Sequence, residues 1–190
     1  MIMVLRLGWT TDMTTEPRPP VETDLELPPD GIYVVASLVV DPSGRVRDGR
    51  DSRPLSSPED RRRFLGLRRW AQVILIGSKT FSAESYGKSK LPVLTYSRKE
   101  REITDWSHEL LRVQESHGRR VLIEAGPGLL EPMIRHNVVD RLFLTRTSRV
   151  SSDATSPIFD FSILENSSLE LISSEVLAED RFEIYQRKMS

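Results

Sequence analysis

Residues 121–130, with the sequence VLIEAGPGLL, decide the fold of this chain. The apolar run predicts a buried strand over 120–124, and the two glycines after it predict a tight turn into a helix over 129–135. Glycine lets a ligand approach the backbone closely, and the free N–H groups of a helix start favour a phosphate. A pyrophosphate fits this pattern, but the spacing is equally consistent with glycines that serve only the turn from strand to helix.

Short apolar strands of the same kind recur along the chain and alternate with helices. Ser57 at the N-cap and Pro58 at the first helical position predict a helix over 58–70. Further strands are predicted at 32–40, 73–76, 92–96 and 141–145, a further helix at 109–116, and a closing antiparallel pair at 169–173 and 182–186. This order predicts an α/β fold with a mixed central sheet, flanking helices and a C-terminal antiparallel hairpin.

The first 30 residues differ in composition from the rest of the chain. They hold five of the twelve prolines and six acidic residues against two arginines. Such a segment cannot bury enough apolar surface to order itself alone. We therefore expect an extended or disordered N-terminal arm over 1–30 and one folded domain over 31–190.

Composition excludes several classes of protein. The 190 residues are 38% apolar and 29% charged, which is typical of a globular domain and not of a disordered chain. The net charge of -1 provides no field for a polyanion, so we expect no nucleic acid partner. No apolar run approaches the roughly 18 residues of a membrane span and no leader is evident, so we expect a cytoplasmic protein without a membrane partner. The chain has no cysteine, and its three histidines lack metal-ligand spacing, so no metal site is expected.

Two further predicted strands end in residues suited to an anion. The segment 76–81, IGSKTF, presents Gly77, Lys79 and Thr80, although Ser78 separates the glycine from the lysine and excludes a nucleotide triphosphatase P-loop. The next strand ends in Thr95-Tyr96-Ser97-Arg98, where a hydroxyl beside a guanidinium suits a phosphate monoester. Ligands of open α/β sheets lie beyond the carboxyl ends of the strands, so three such ends together indicate a phosphorylated cofactor.

These residues resemble a known family. The segments VASL (35–38), SSPED (56–60), LR (67–68), VILIGSKT (73–80), VLIEAGPGLL (121–130) and VDRL (139–142) are similar to the reductase domain of the bifunctional riboflavin-biosynthesis deaminase/reductase. The resemblance covers about 31–188, and residues 124–128, EAGPG, are its most specific part. It implies the dihydrofolate-reductase fold, a homodimer, and an NADPH-dependent reductase of a pyrimidine- or pterin-like heterocycle such as 5-amino-6-(5-phosphoribosylamino)uracil.

The resemblance also implies site residues. The residues it places at NADPH are Ala36, Gly77, Lys79, Thr80, Glu84, Ser97, Arg98, Gly126, Pro127, Gly128, Leu129 and Leu130, with Ser97 and Arg98 at the 2'-phosphate and Glu84 near the ribose. Ser52, Arg68 and Glu124 would face the substrate, and Glu124 is the candidate catalytic residue. After Glu84 the family's Asn-Pro-x-Leu-Thr stretch is replaced by Ser85-Tyr86-Gly87-Lys88.

Two other functions stay open. One is a dihydrofolate reductase, which needs a buried carboxylate against the pterin ring, with Glu124 or Asp41 as the candidate. The other is a nucleotide-binding module without catalysis. For the homodimer, we expect a contact at a sheet edge formed by the 141–147 strand, unless the arm or the final hairpin shields that edge.

Overall fold

The computed structural model describes residues 25, 30–83, 86, 89–97, 103 and 105–188. Its strands are β1 (Tyr33–Val40), β2 (Val73–Gly77), β3 (Val93–Tyr96), β4 (Arg120–Ile123), β5 (Arg141–Arg146), β6 (Leu169–Leu177) and β7 (Asp180–Arg187). Its helices are α1 (Pro58–Trp70), α2 (Ser78–Ala83), α3 (Trp106–His117), α4 (Pro127–Arg135) and α5 (Ser162–Glu165). None of these helices is long and apolar enough to cross a membrane.

The strands form one seven-stranded sheet in the order β3-β2-β4-β1-β5-β7-β6. The first five strands in this order run parallel, while β7 is antiparallel to β5 and β6 is antiparallel to β7. The predicted α/β fold, with its mixed sheet and C-terminal hairpin, is therefore confirmed.

Alternate residues of the parallel strands pack on opposite faces of the sheet, and helices cover both faces. On one face, Leu67 and Trp70 of α1 pack with Val35 and Leu122. On the other face, α3 and α4 pack on the sheet, with buried residues that include Leu110, Leu130, Val34, Leu75 and Ile123. Burial on both faces explains why these strands read as uninterrupted apolar runs in the sequence.

Two predicted helix starts need correction, and two short helices were not predicted. The third helix begins at Trp106 rather than 109, because the Asp105 carboxylate caps it by accepting the His108 N–H at 3.0 Å. The fourth begins at Pro127 rather than 129, since proline suits the first helical position. The short helices α2 and α5 were not predicted from the sequence, because four to six residues carry no helical periodicity.

The predicted position of the sheet edge is wrong. β5 lies inside the sheet, where β1 pairs with it on one side and β7 on the other. The final hairpin thus shields the 141–147 strand, and within the described residues the edges are β3 and β6. In the predicted arm, Leu25 is buried with Tyr33 and Trp70, so at least this residue packs on the domain. Of residues 1–30, the structure describes only Leu25 and Asp30, so the rest of the predicted arm lies outside the described residues.

Candidate functional site

The candidate site lies at the carboxyl ends of β2 and β4, which are parallel neighbours in the sheet. Gly77 ends β2, and a Cβ at that position would lie 3.9 Å from both Leu129 Cβ and Thr80 Oγ1. The structure therefore brings together Gly77, Thr80 and the start of α4, as the sequence predicted for the cofactor site. Lys79 lies beside them, exposed on α2.

The start of α4 presents backbone rather than side chains. Gly126 is the N-cap, and it makes no side-chain cap hydrogen bond. Pro127 follows it, and the N–H groups of Leu129 and Leu130 each donate to the Gly126 carbonyl at 3.2 Å. Leu129 and Leu130 are buried in the core, whereas Gly128 is exposed.

The backbone at Gly126 does not itself require glycine. Its φ of -70° is open to any residue, and a Cβ there would lie 3.7 Å from Val46 Cγ2, an ordinary contact. The explanation that this glycine serves only the turn therefore gains no support from backbone strain. Close approach of a ligand to the helix start remains a physical reason for glycine here.

A cluster of three side chains lies directly before this helix start. Arg68 of α1 binds the Glu124 carboxylate in a two-point fork, with Nε 2.6 Å from Oε1 and Nη2 2.5 Å from Oε2. The Tyr86 hydroxyl donates to the same Oε2 at 2.9 Å. Three segments of the chain thus converge on one carboxylate, which follows β4 and precedes Gly126 by two residues.

The cluster is largely removed from water. The side chain of Glu124 is 3% exposed and that of Arg68 is 29% exposed. The Arg68 guanidinium also lies over two rings, 4.6 Å from the centroid of Phe64 and 5.3 Å from that of Tyr86. Arg68, whose role the sequence left open, is therefore part of a buried ion pair and not of a solvated helix face.

The geometry limits what Glu124 can do chemically. In the hydrogen bonds described above, Arg68 and Tyr86 donate and the Glu124 carboxylate oxygens accept. Such bonds favour the ionised form of the carboxyl group. Glu124 is thus suited to accept a hydrogen bond from a ligand and to orient it. It is not suited to donate a proton.

Four further residues were predicted at the site, and their assignment stays a prediction. Ala36 of β1 is completely buried and pairs with Ile123, the residue before Glu124, so it lies beside the site. Ser52 lies in the loop after β1, where its carbonyl accepts the Leu55 N–H at 3.0 Å. Glu84 and Arg98, predicted at the ribose and the 2'-phosphate, lie outside the described residues.

Ser97 follows β3 and lines a cleft of about 480 Å³ between β3 and α3. Thr95, Arg112 and His117 line the same cleft. A hydroxyl and a guanidinium therefore share this cleft, although the guanidinium belongs to Arg112 of α3 and not to the predicted Arg98. The assignment of Ser97 to the 2'-phosphate stays a prediction.

Asp41, the other candidate pterin-binding carboxylate, accepts three backbone hydrogen bonds. Its Oδ1 accepts the Ser43 and Arg45 N–H groups, both at 2.8 Å, and its Oδ2 accepts the Ser151 N–H at 3.1 Å. Burial alone would raise the pKa of Asp41, but these hydrogen bonds outweigh it and hold the pKa below its ordinary value. Asp41 thus joins the loop after β1 to the loop after β5, and its oxygens are committed to that task.

Sequence reasoning did not identify Tyr86 as a site residue. It lies after α2 in the segment that replaces the family's usual motif, and that departure was the only signal for it.

The described residues contain no group of three or more His, Cys, Asp or Glu side chains that could hold a metal ion.

Comparison with known proteins places this fold. No protein-family model matches the chain, and no curated protein sequence matches it. Solved structures do match, among them RibD from Acinetobacter baumannii, at a TM-score of 0.62 and 15% identity over 84% of this chain. The chain spans only 59% of that RibD chain.

Two other structures match over nearly their whole length. Riboflavin biosynthesis reductase Rib7 from Saccharomyces cerevisiae has a TM-score of 0.62 and 15% identity, covering 88% of this chain and 94% of its own. Dihydrofolate reductase from Enterococcus faecalis, solved with NADP(H), has a TM-score of 0.55 and 16% identity, covering 83% and 97%. The chain thus has the dihydrofolate-reductase-like fold of the riboflavin-biosynthesis reductases, which confirms the resemblance at the level of fold.

Proposed function

We propose that this protein is an NADPH-dependent reductase of a pyrimidine- or pterin-like heterocycle. The observation that carries the proposal is the position of the Arg68–Glu124–Tyr86 cluster. It lies at the same carboxyl ends of the strands as Gly77, Thr80 and the α4 start, with only Ala125 between Glu124 and Gly126. A polar anchor thus adjoins a backbone surface suited to a phosphorylated cofactor.

The residues at these strand ends fit NADPH. Gly77 and Thr80 on one side and Gly126 with Gly128 on the other would hold its phosphates, because they offer backbone and a hydroxyl without bulky side chains. When bound, the cofactor would supply the hydride. Ser97 and Arg98 are proposed to bind the 2'-phosphate that distinguishes NADPH from NADH.

In the substrate half, Arg68 and Glu124 would bind and orient the heterocycle. The hydrogen bonds from Arg68 and Tyr86 favour the ionised form of Glu124, so it would accept a hydrogen bond from a ring N–H or an amine of the substrate. Burial of the carboxylate, whose side chain is 3% exposed, would exclude water and strengthen that bond. Holding the acceptor carbon in one orientation is the protein's main contribution in such a reaction.

Oxidation of NADPH, followed by absorbance, tests the proposal with two substrates: 5-amino-6-(5-phosphoribosylamino)uracil and 7,8-dihydrofolate. We expect turnover of one of them. We expect Glu124→Gln to lower its kcat/KM by about 100-fold, since a buried charged hydrogen bond is worth about 3 kcal/mol.

The matched control is Glu183→Gln. Glu183 is also buried and paired with an arginine, Arg146 Nε at 2.9 Å, but it lies on β7, away from the site. This control should retain activity. If the protein binds NADPH but oxidises it with neither substrate, the reductase proposal fails and the module without catalysis is favoured.

We also propose a cytoplasmic homodimer, now at the edge formed by β6. Leu171, Ile172 and Val176 of this strand are about half exposed or more, and an apolar edge strand invites pairing with a second copy. Sedimentation equilibrium should give about twice the chain mass of 21.7 kDa. A single species at the chain mass would exclude the dimer.

A further inference from the structure

Tyr86 connects the two halves of the proposed site. Its hydroxyl reaches Glu124 at 2.9 Å, and its ring lies 5.3 Å from the Arg68 guanidinium. The ring also stacks on Phe81 of α2, with centroids 6.4 Å apart and planes at 17°. Tyr86 is only 6% exposed and packs with Ile74 and Ile76 of β2, so its hydroxyl is fixed from several directions.

The hydrogen bond from Tyr86 adds what the ion pair lacks. A fork between Arg68 and Glu124 defines their relative geometry, but two long side chains can swing together without breaking it. A third donor from another segment removes that freedom, because it fixes Oε2 relative to β2 as well as to α1. A group held by such a supporting contact keeps the precise orientation that a reaction requires.

We propose that Tyr86 is a positioning residue, whose hydroxyl fixes the orientation of Glu124 and stabilises its ionised form for substrate binding. The proposal rests on the proposed function, in which Glu124 binds the heterocycle. Tyr86 itself need not contact the substrate, and neither the sequence motifs nor the family resemblance assigned it a role.

The chain contains a matched cluster away from the site. The Tyr185 hydroxyl donates to Glu183 Oε2 at 2.9 Å, and Arg146 Nε lies 2.9 Å from the same oxygen. These residues belong to β5 and β7, whereas Glu124 follows β4 on the far side of β1. Tyr185→Phe therefore removes the same kind of hydrogen bond without touching the proposed site.

The first measurement needs no activity. Tyr86→Phe keeps the ring and its packing and removes only the hydroxyl. In protein with ¹³C-labelled glutamate carboxyls, the Glu124 signal, assigned through its loss in Glu124→Gln, should titrate at higher pH in Tyr86→Phe than in wild type. It should not move in Tyr185→Phe. An unchanged titration in Tyr86→Phe overturns the proposal, whether or not the protein is a reductase.

The second measurement addresses the reaction, with whichever of the two substrates wild type reduces. Tyr86→Phe should raise KM about tenfold, leave NADPH affinity unchanged and move the acidic limb of the kcat/KM profile to higher pH. Tyr185→Phe should leave all three unchanged. A shifted Glu124 titration with wild-type KM and pH profile would overturn the positioning role. Tyr86→Leu separates packing from positioning: if only packing matters, it lowers the melting temperature while Tyr86→Phe behaves as wild type.

Discussion

Replacing Arg68 by methionine should destabilise the protein far more than removing an arginine one and a half turns earlier in the same helix. Methionine keeps the apolar stem but removes both hydrogen bonds to Glu124, whose side chain is 3% exposed. Breaking a buried ion pair on one side costs about 3–5 kcal/mol, because the remaining charge is desolvated and unpaired. Arg68 is itself 29% exposed, so we expect the lower end, about 3 kcal/mol.

For a chain of this length, that cost corresponds to a fall in melting temperature of about 6–12 °C. The control is Arg62→Met, which removes a surface pair with Glu59 whose side chains are 45% and 30% exposed. It should change the free energy of unfolding by no more than about 0.5 kcal/mol. The double variant Arg68→Met/Glu124→Gln should recover at least half of the loss, since no unpaired charge then remains.

Urea unfolding at neutral pH, followed by circular dichroism, measures all four free energies. The comparison also shows whether the Arg68–Glu124 pair stabilises the protein as a buried ion pair or only as a surface contact. If Arg68→Met and Arg62→Met have equal effects, the pair with Glu124 is no more than a surface contact. The electrostatic account of the site would then be wrong.

Three further outcomes are expected. Gly128→Val should weaken NADPH binding, measured by fluorescence, with little change in the melting curve, because the residue is exposed at the helix start; normal binding would exclude the site. Arg98→Ala should abolish the preference for NADPH over NADH in parallel titrations, and an unchanged preference would remove Arg98 from the site. Burial raises the pKa of Asp60, an effect that nearby Asp180 reinforces and that hydrogen bonds from Ser56 and Thr145 oppose. Its contribution to stability is therefore present below about pH 4 and lost as pH rises through the raised value, so Asp60→Asn should flatten this fall in urea titrations from pH 4 to 7.

The fold was largely predictable because the decisive residues are local. Strands buried on both faces give uninterrupted apolar runs, and the helix over 58–70 carries its own start signal in Ser57 and Pro58. The order of strands was not predictable from such patterns. The position of β5 inside the sheet depends on the pairing of residues 141–146 with residues 181–186, about forty positions later.

The site was predictable only in part, for a similar reason. The start of α4 is one continuous segment, so its glycines could be found from their spacing. The contact between Arg68 and Glu124 joins residues 56 positions apart, and the bond from Tyr86 spans 38. The family resemblance named Arg68 and Glu124 separately, but their ion pair, and the part that Tyr86 takes in it, appear only in three dimensions.

The strand order also has a consequence for how the chain folds. β1 pairs with β4 and β5, so neither of its neighbours begins before residue 120. β2, which follows β1 in the sequence, is separated from it by β4. A nascent chain that ends before residue 120 therefore lacks both strands that flank β1. The pairs that β1 makes must form through contacts of long sequence separation, which are slow to close. Glu124 follows β4, the strand that lies between β2 and β1. The candidate site therefore forms only when β4 has paired with both strands.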